Sequence, residues 1–523
     1  MAYVTRRHGA LAWIGSLTLS CSTAGTQIGT ADSGGEPASI GSIDAAPDAG
    51  VDAAAAADGS TEAANGDSGG ADATGTDASG ATLVDLRVST GLLVPPFDPG
   101  VTDYSMTSLN AVYPIQVTAT ASDPAAPIFI HGSPARSGEP SSFRLAAGED
   151  FGVSLGTRTY VVHYMPADVP TYSVSKSAGA GTEDVLISTN LKYAAIMNRD
   201  GALLYYRSFQ PWLTEDFQRF TLPDGQIEYV TEVGSFDPGG WLLGAGHVMD
   251  AQFRDLADFQ LVPSGSHDVL PADAHDFILV DHDHYVAMSY VQRTQDLSQL
   301  NPAWSSQATV INAVVQEVVA GTPVFEWDSA NVPSLYSDSL LNNTFQAGQR
   351  EDYLHMNSMC IDPADGNFVF SFRHTDSIVK VDRKTGQILW TLGGKEDQFG
   401  LTGDQVFSFQ HYVRVEPDGS LWVFDNGNML HQTRVISFVL DQANKKVLQF
   451  TDVYDKPAGQ PQTDFMGSYA QLGASRYLFG WGGWVMGAPG LSATEVSGGS
   501  VVWSLTFADP AVFSYRALPI GAL

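Results

Sequence analysis

From about residue 182 onward, apolar and polar residues alternate in short runs, and a turn signal closes each run. The repeating theme is a strand, a turn, a second strand, another turn and a third strand. Several turns are written Asp-Gly: Asp200-Gly201, Asp224-Gly225, Asp365-Gly366 and Asp418-Gly419. Alternation with a period of two predicts half-buried strands, and Asp-Gly between such runs predicts hairpins. Third or fourth strands tend to carry an aromatic residue, as in LLYYRS at 203–208, VFEWDS at 324–329, ILWTLGG at 388–394 and VVWSLTF at 501–507. The theme recurs loosely, about every 40–60 residues, a period that signals a β-propeller when long helical patterns are absent. Six blades are read, at roughly 182–217, 218–272, 275–330, 355–396, 411–455 and 467–516. Ring closure at that number leaves only short, protected strand edges.

The chain upstream divides into three parts. Residues 82–178 hold short alternating segments between turn signals, including LVDLRVSTGLLVPPFDPGVTDYSM, YPIQVTATAS and TYVVHYMPADVPTYSVSKS, which predict a small β-sandwich. The Tyr172-Ser173-Val174 run reads as its closing strand. Residues 22–81 are rich in Ala, Gly, Ser, Thr and Asp, without Lys, Arg or an aromatic residue. Such a segment cannot bury enough apolar surface to fold and is expected to be a disordered tether. Residues 1–21 place Arg6-Arg7 before a short apolar run from Ala10 to Ser20, then Cys21. That run is too short to span a bilayer and reads as a signal peptide. Leu17-Thr18-Leu19-Ser20-Cys21 resembles a bacterial lipoprotein cleavage site, with Cys21 as the lipidated residue. The expectation is an exported lipoprotein of the bacterial cell envelope, periplasmic or on the cell surface.

Charge narrows the partners. The 523 residues carry 26 Lys+Arg against 58 Asp+Glu, a net charge of −32. Nucleic acid is thereby excluded, since phosphate backbones reward basic patches. Electrostatic attachment to anionic lipid is excluded too, which leaves the lipid anchor as the expected route to a membrane. An anionic substrate must find a local cationic pocket against the global field. The two cysteines, Cys21 and Cys360, give no disulfide framework, and Cys360 reads as a small core residue.

Three histidines stand at matched places, each just before the innermost strand of a blade: His275 in HDFILV, His355 in HMNSMCID and His411 in HYVRVEPDG. Rotation about the propeller axis relates the blades, so matched positions converge at one end of the central channel. Arg373 ends the strand that pairs back beside His355 across the Asp365-Gly366 turn, which brings it to the same mouth. Taken singly, each histidine suits a structural hydrogen bond; three together with an arginine suggest a site. Three imidazoles can also hold Zn²⁺. Arg373 argues against that, as does the lack of an acidic cluster at the other blade mouths, although Asp276 follows His275 directly. His282, His284 and His431 read as surface turn residues; His247 and His374 are left open. Phe372, Phe409, Tyr412, Trp481 and Trp484 are available as apolar walls.

The stretch YLHMNSMCIDPADGNFVFSFRHTDSIVKVDRKTGQILWTLGGKEDQF, followed by FSFQHYVRVEPDGSLWVFDNGN, resembles the arylsulfotransferase family. The H-x-N-S, S-x-R-H, I-x-W-x-L-G-G and Q-H elements occur in order, and SYRALPI at 514–520 resembles the family's last strand. The opening of the upstream segment resembles the cadherin-like β-sandwich family. The first resemblance implies an all-β, six-bladed propeller that moves a sulfuryl group from a phenolic sulfate ester to a phenolic acceptor, without a cofactor or metal. It implies His411 as the nucleophile, His355, His275 and Arg373 as further catalytic groups, and Asn357, Tyr412 and Lys395 in substrate binding. Association as a homodimer is left open. Two departures concern substrate choice: Tyr412 stands where an acid is frequent, and Phe409 where a tryptophan is frequent. Two other readings remain beside this one, a non-catalytic surface propeller that binds a glycan or a protein, and a three-histidine metal-dependent hydrolase or lyase.

Overall fold

The computed structural model describes residues 80–89, 91–108, 115–145, 149–165, 168–453, 461–483 and 485–521. Cys21, the tether up to residue 79 and Trp484 lie outside them. No helix among the described residues is long and apolar enough to cross a membrane.

The amino-terminal strands form two sheets. Leu83–Val88, Ile115–Ala121 and Pro140–Phe143 make a three-stranded sheet. Gly91–Val94, Asp103–Ser108, Arg158–Met165, Asp150–Leu155, Ile128–Ile130 and Ser133–Ala135 make the other. Along Ile115–Ala121 the alternate residues Ile115, Val117, Ala119 and Ala121 are buried and pack with Tyr104, Phe151 and Tyr160. Period-two alternation thus has its expected result, one face of the strand turned to the core.

Asp184–Ile520 is built from sheets of mainly antiparallel strands in propeller order. The first holds Asp184–Thr189, Tyr193–Met197 and Leu203–Ser208, and the carboxyl-terminal strand Ser514–Ile520 completes it by pairing with Asp184–Thr189. Joining the first and last strands of this region in one sheet closes the ring. The second starts at Leu213–Thr221, the third at Phe277–Asp281, the fourth at Met356–Ile361, the fifth at His411–Val415 and the sixth at Ser468–Gly473. A separate apolar cluster fills each gap between successive sheets. The strand aromatics belong to these gaps: Trp327 packs on Phe370 and Phe372, and Trp390 and Trp503 are equally buried. At the Asp365-Gly366 turn Gly366 takes φ 74°, a left-handed conformation that a Cβ would strain.

One strand departs from the sequence reading. Tyr172–Lys176 does not close the sandwich; it pairs antiparallel with Ser500–Phe507 as the last strand of the sixth sheet. Its alternating pattern suits either sheet, and the partner that decides lies more than 320 residues away in sequence.

A buried ionic floor ties the sheets together across the channel. Arg516 Nη1 donates to both oxygens of Asp216 at 2.9 Å and to Asp276 Oδ1 at 3.0 Å. Arg414 donates to both oxygens of Asp276, at 2.9 and 3.1 Å. The Met359 amide reaches Asp276 Oδ2 at 2.9 Å, and Arg516 also holds the His275 carbonyl at 2.7 Å. The Tyr412 ring lies against both guanidiniums, 4.0 Å from Arg414 and 4.6 Å from Arg516. This network joins the first five sheets and forms the base on which the histidines stand.

Candidate active site

The inner strands of the third, fourth and fifth sheets lie side by side. The Val413 amide donates to Ser358 Oγ at 2.9 Å, and Asn357 Nδ2 donates to the Gln410 carbonyl at 2.7 Å. Each of these strands has a histidine at its start. The His275 and His355 rings meet edge to face, 4.9 Å between centroids. Arg373 arrives as the register requires: Met356 pairs with Phe372, and the Arg373 amide donates to the His355 carbonyl at 2.9 Å. His411 joins through a shared neighbour. Segment 463–466 gives its Asp464 carbonyl to Arg373 Nη2 at 3.0 Å and its Met466 amide to His411 Nε2 at 3.1 Å. Four non-glycine residues at this mouth adopt left-handed backbone, His355 (φ 50°), Phe409 (φ 54°), Tyr412 (φ 43°) and Met466 (φ 64°). Such strain clusters where side chains must be aimed rather than merely packed.

Each imidazole has its own orienting partner. His275 Nδ1 lies 2.6 Å from Asp273 Oδ1, and His355 Nδ1 lies 2.6 Å from Asp352 Oδ2. His411 Nδ1 lies 2.7 Å from Asn426 Oδ1. Asn426 cannot be turned the other way, because its Nδ2 already donates to the Thr463 and Met466 carbonyls at 3.1 and 3.0 Å. Its Oδ1 only accepts, so His411 carries its proton on Nδ1 and its Nε2 lone pair is bare, which agrees with the Met466 amide donating to it.

The environments set the charges apart. Burial would depress His275, but the Asp273 carboxylate hydrogen-bonded to it outweighs this and raises its pKa above the usual imidazole value. Burial, with the His275 and Arg373 charges, holds His355 well below that value. Burial and then Arg373 do the same to His411. Arg373, lowered by burial to about 10, remains a cation at neutral pH.

The acids around this mouth correct one sequence expectation. Asp273, Asp276, Glu215 and Glu232 are all buried here, and Asp352 lies beside His355. The signal was present as Asp273-Ala274-His275 and Asp352-Tyr353-Leu354-His355, a carboxylate two or three residues ahead of each histidine. Ligand-type atoms of Asp352, His355 and His374 lie within 4.8 Å of one another, a grouping compatible with a metal ion. In this structure the Asp352 carboxylate meets His355 Nδ1, and His374 is held by the Asp352 backbone carbonyl and Arg373.

The remaining expected residues divide. Asn357 is buried between the fourth and fifth sheets, with its Oδ1 unpartnered. Tyr412 faces the ionic floor. Lys395 is not at this mouth: it is exposed and donates to the Ser337 and Ser339 carbonyls. It also lines a cavity of about 620 Å³ between the third and fourth sheets, which none of His275, His355, Arg373 or His411 lines. Phe409 lies under the Arg373 guanidinium at 4.5 Å and is a partly exposed wall. Phe372 and Trp481 are fully buried core residues and offer no wall to a substrate. His374, left open by the sequence, stands inside the site, its ring 4.7 Å from that of His355.

A family model described as Arylsulfotransferase (ASST) matches residues 192–486, more than half of the chain. A second, described as Cadherin-like beta sandwich domain, matches residues 83–168. No curated protein matches the chain significantly. Among solved structures, a protein of unknown function from Bacteroides caccae is 12% identical with a TM-score of 0.37, over 65% of this chain and 99% of its own. Virginiamycin B lyase from Staphylococcus aureus is 9% identical with a TM-score of 0.31, over 64% and 99%. The Cps50 (Swd1) β-propeller domain from Myceliophteria thermophila is 8% identical with a TM-score of 0.33, over 64% and 89%.

Proposed function

Because the chain belongs to the arylsulfotransferase family, we propose that it moves a sulfuryl group from a phenolic sulfate to a phenol through a sulfo-histidine on His411. The observation that carries this reading is the pairing of two groups at one mouth: an imidazole whose Nε2 is unprotonated, and an arginine cation whose hydrogen-bond partners are neutral. In the first half-reaction the His411 Nε2 lone pair forms the N–S bond while the S–O bond to the aryl oxygen breaks. The phenolate leaves with that electron pair. In the second, an acceptor phenol gives its proton to a neighbouring neutral imidazole as its oxygen attacks sulfur; the N–S bond breaks with its pair returning to His411 Nε2, and the imidazole then passes the proton to solvent. Arg373 faces the sulfuryl oxygens as charge redistributes. Since Nε2 accepts the Met466 amide here, donor binding must displace that contact.

p-Nitrophenyl sulfate tests the reading. Nitrophenol release that accelerates with added phenol, with parallel lines when donor is varied at fixed acceptor, supports transfer through a covalent enzyme. Rapid quench at alkaline pH should find a sulfuryl mass on the peptide containing His411. Intersecting lines with no labelled peptide would point to direct transfer instead. Activity lost on chelation and restored by zinc would favour the metal-dependent hydrolase. We also propose that the protein is exported and lipidated at Cys21; mass spectrometry of the mature amino terminus would find acylated Cys21, and an unmodified terminus elsewhere sinks it.

A further inference from the structure

We infer that His374 is the positioning residue that holds Arg373 in place without neutralising it. The inference deepens the sulfotransferase reading and rests on it for the nature of the anion. Three other arginines of the propeller interior meet carboxylates: Arg414 and Arg516 meet Asp276, and Arg434 meets Asp425 at 2.8 Å. Arg373 does not. Its Nη1 donates to His374 Nε2 at 3.0 Å, and its Nη2 to the Asp464 carbonyl at 3.0 Å. Its Nε has no partner, and its flat face lies on Phe409. Its hydrogen bonds all go to neutral acceptors, so the cation is aimed without a carboxylate bonded to it; the Asp352, Asp376 and Asp464 carboxylates act on it through space.

His374 can fill this role because its other nitrogen is fixed. His374 Nδ1 lies 2.8 Å from the Asp352 carbonyl, an oxygen that only accepts. The ring proton therefore sits on Nδ1, and Nε2 offers a lone pair to the guanidinium. The Asp352 carboxylate is engaged by His355, through the ring at 2.6 Å and the amide at 3.1 Å, and stands 3.6 Å from His374 Nδ1. Burial, reinforced by His355 and Arg373 against Asp352, keeps His374 neutral, with a pKa of about 3. A carboxylate in its place would bind Arg373 more strongly, since ionised acceptors make the stronger hydrogen bonds. It would also cancel the charge that a sulfuryl anion needs. Neutral imidazole orients the fork and leaves its field intact.

Three substitutions separate the parts of this idea. His374→Gln keeps a neutral acceptor, His374→Leu removes it, and His374→Glu replaces it with a charge. Benzenesulfonate, a non-transferable anion, reports binding by calorimetry, and p-nitrophenyl sulfate reports turnover. The glutamine variant should stay within several-fold of the parent in both. The leucine variant should lose roughly 10²-fold in kcat/KM, the scale of a displaced catalytic group. The glutamate variant should lose benzenesulfonate binding at unchanged thermal stability. In an Arg373→Ala background, His374→Leu should change kcat/KM by less than about twofold, as expected of residues that act as one unit. An equal loss in that background, or parental anion binding by the glutamate variant, overturns the inference. Ring ¹⁵N shifts of His374 in the unsubstituted protein should show the Nδ1–H tautomer; protonation at Nε2 overturns it without any variant. If no aryl sulfate is turned over but the tautomer and the binding pattern hold, the transfer reading fails and the clamp stands.

Discussion

Replacing Asn426 with aspartate changes one atom and should reverse the chemistry of His411. Asn426 is fully buried, and its Oδ1 lies 2.7 Å from His411 Nδ1. A carboxylate there would stand about 4 Å, centre to centre, from an imidazolium. At an effective dielectric of about 20 that favours the protonated ring by roughly 4 kcal/mol, close to a thousandfold in the protonation equilibrium. The lost Nδ2 donor would also leave the Thr463 and Met466 carbonyls unsatisfied, at about 1–3 kcal/mol each. Protonation removes the lone pair that attacks sulfur, so donor kcat/KM should fall on the acid side of the pH profile. The decisive observation is the pH profile of kcat/KM for the donor. Its acid limb should move to higher pH, and the rate should recover as the solution becomes alkaline. Asn426→Ala serves as control, since it loosens the ring without adding charge and should leave the limb near its original place. A uniform loss across pH in the aspartate variant, or an unmoved limb, would refute the argument that the neutral amide keeps His411 nucleophilic.

Arg373→Lys should lower turnover by roughly 10²–10³-fold, because an ammonium cannot offer the planar fork that Asp464, His374 and a sulfuryl group share; a lysine variant with parental turnover would remove Arg373 from the site. Asp276→Asn leaves Arg414 and Arg516 short of a shared carboxylate and should destabilise the protein by roughly 3–5 kcal/mol in urea denaturation; an unchanged midpoint would mean the floor is not structural. Glu215 is pushed up to about 8 by burial, so the folded state keeps its proton where the unfolded chain, near 4.5, has lost it. Stability should therefore fall as pH rises from about 4.5 to 8, and Glu215→Gln should flatten that slope; a variant with the original slope would assign it to other groups.

What the sequence made legible follows from how local each signal is. Alternation and Asp-Gly turns are set within ten residues, and the strands and hairpins they predict are found. The matched placement of His275, His355 and His411 before inner strands needs only the repeat, and the repeat is in the chain. Pairings across hundreds of residues are another matter. Nothing near Tyr172–Lys176 distinguishes the sandwich from the sixth sheet, and nothing near Asp216 announces Arg516. The resemblance implies Lys395 in substrate binding, but its ammonium donates to the Ser337 and Ser339 carbonyls at the end of the short helix at 334–338, a contact that nothing near it in sequence announces. Asn426 was visible only as part of Asp425-Asn426-Gly427-Asn428, a turn-like string. Its role depends on Thr463 and Met466, which come from the following sheet connection.

The orienting partners carry the assignment of roles further than the three imidazoles themselves do. A sulfuryl transfer through histidine needs one ring that attacks, one that moves a proton, and positive charge that does not leave. On the proposed reading these demands fall on different rings because their partners differ. Asp273 raises His275, so it is the ring that most favours positive charge at the mouth. His355 has Asp352 behind Nδ1, while burial and the nearby cations keep it neutral, so its Nε2 can take the acceptor's proton and the carboxylate can steady the imidazolium that forms. His411 alone has an amide behind it. A carboxylate there would trap its proton, and with no partner the ring could turn its bare nitrogen away from sulfur. The same logic explains Arg373, which must be cationic yet unpaired in a chain with 58 acids. Neutral acceptors around it, an imidazole and a carbonyl, meet both conditions. His411 and Arg373 are thus held by groups that orient without adding charge, and those are the two that must meet the sulfuryl group directly.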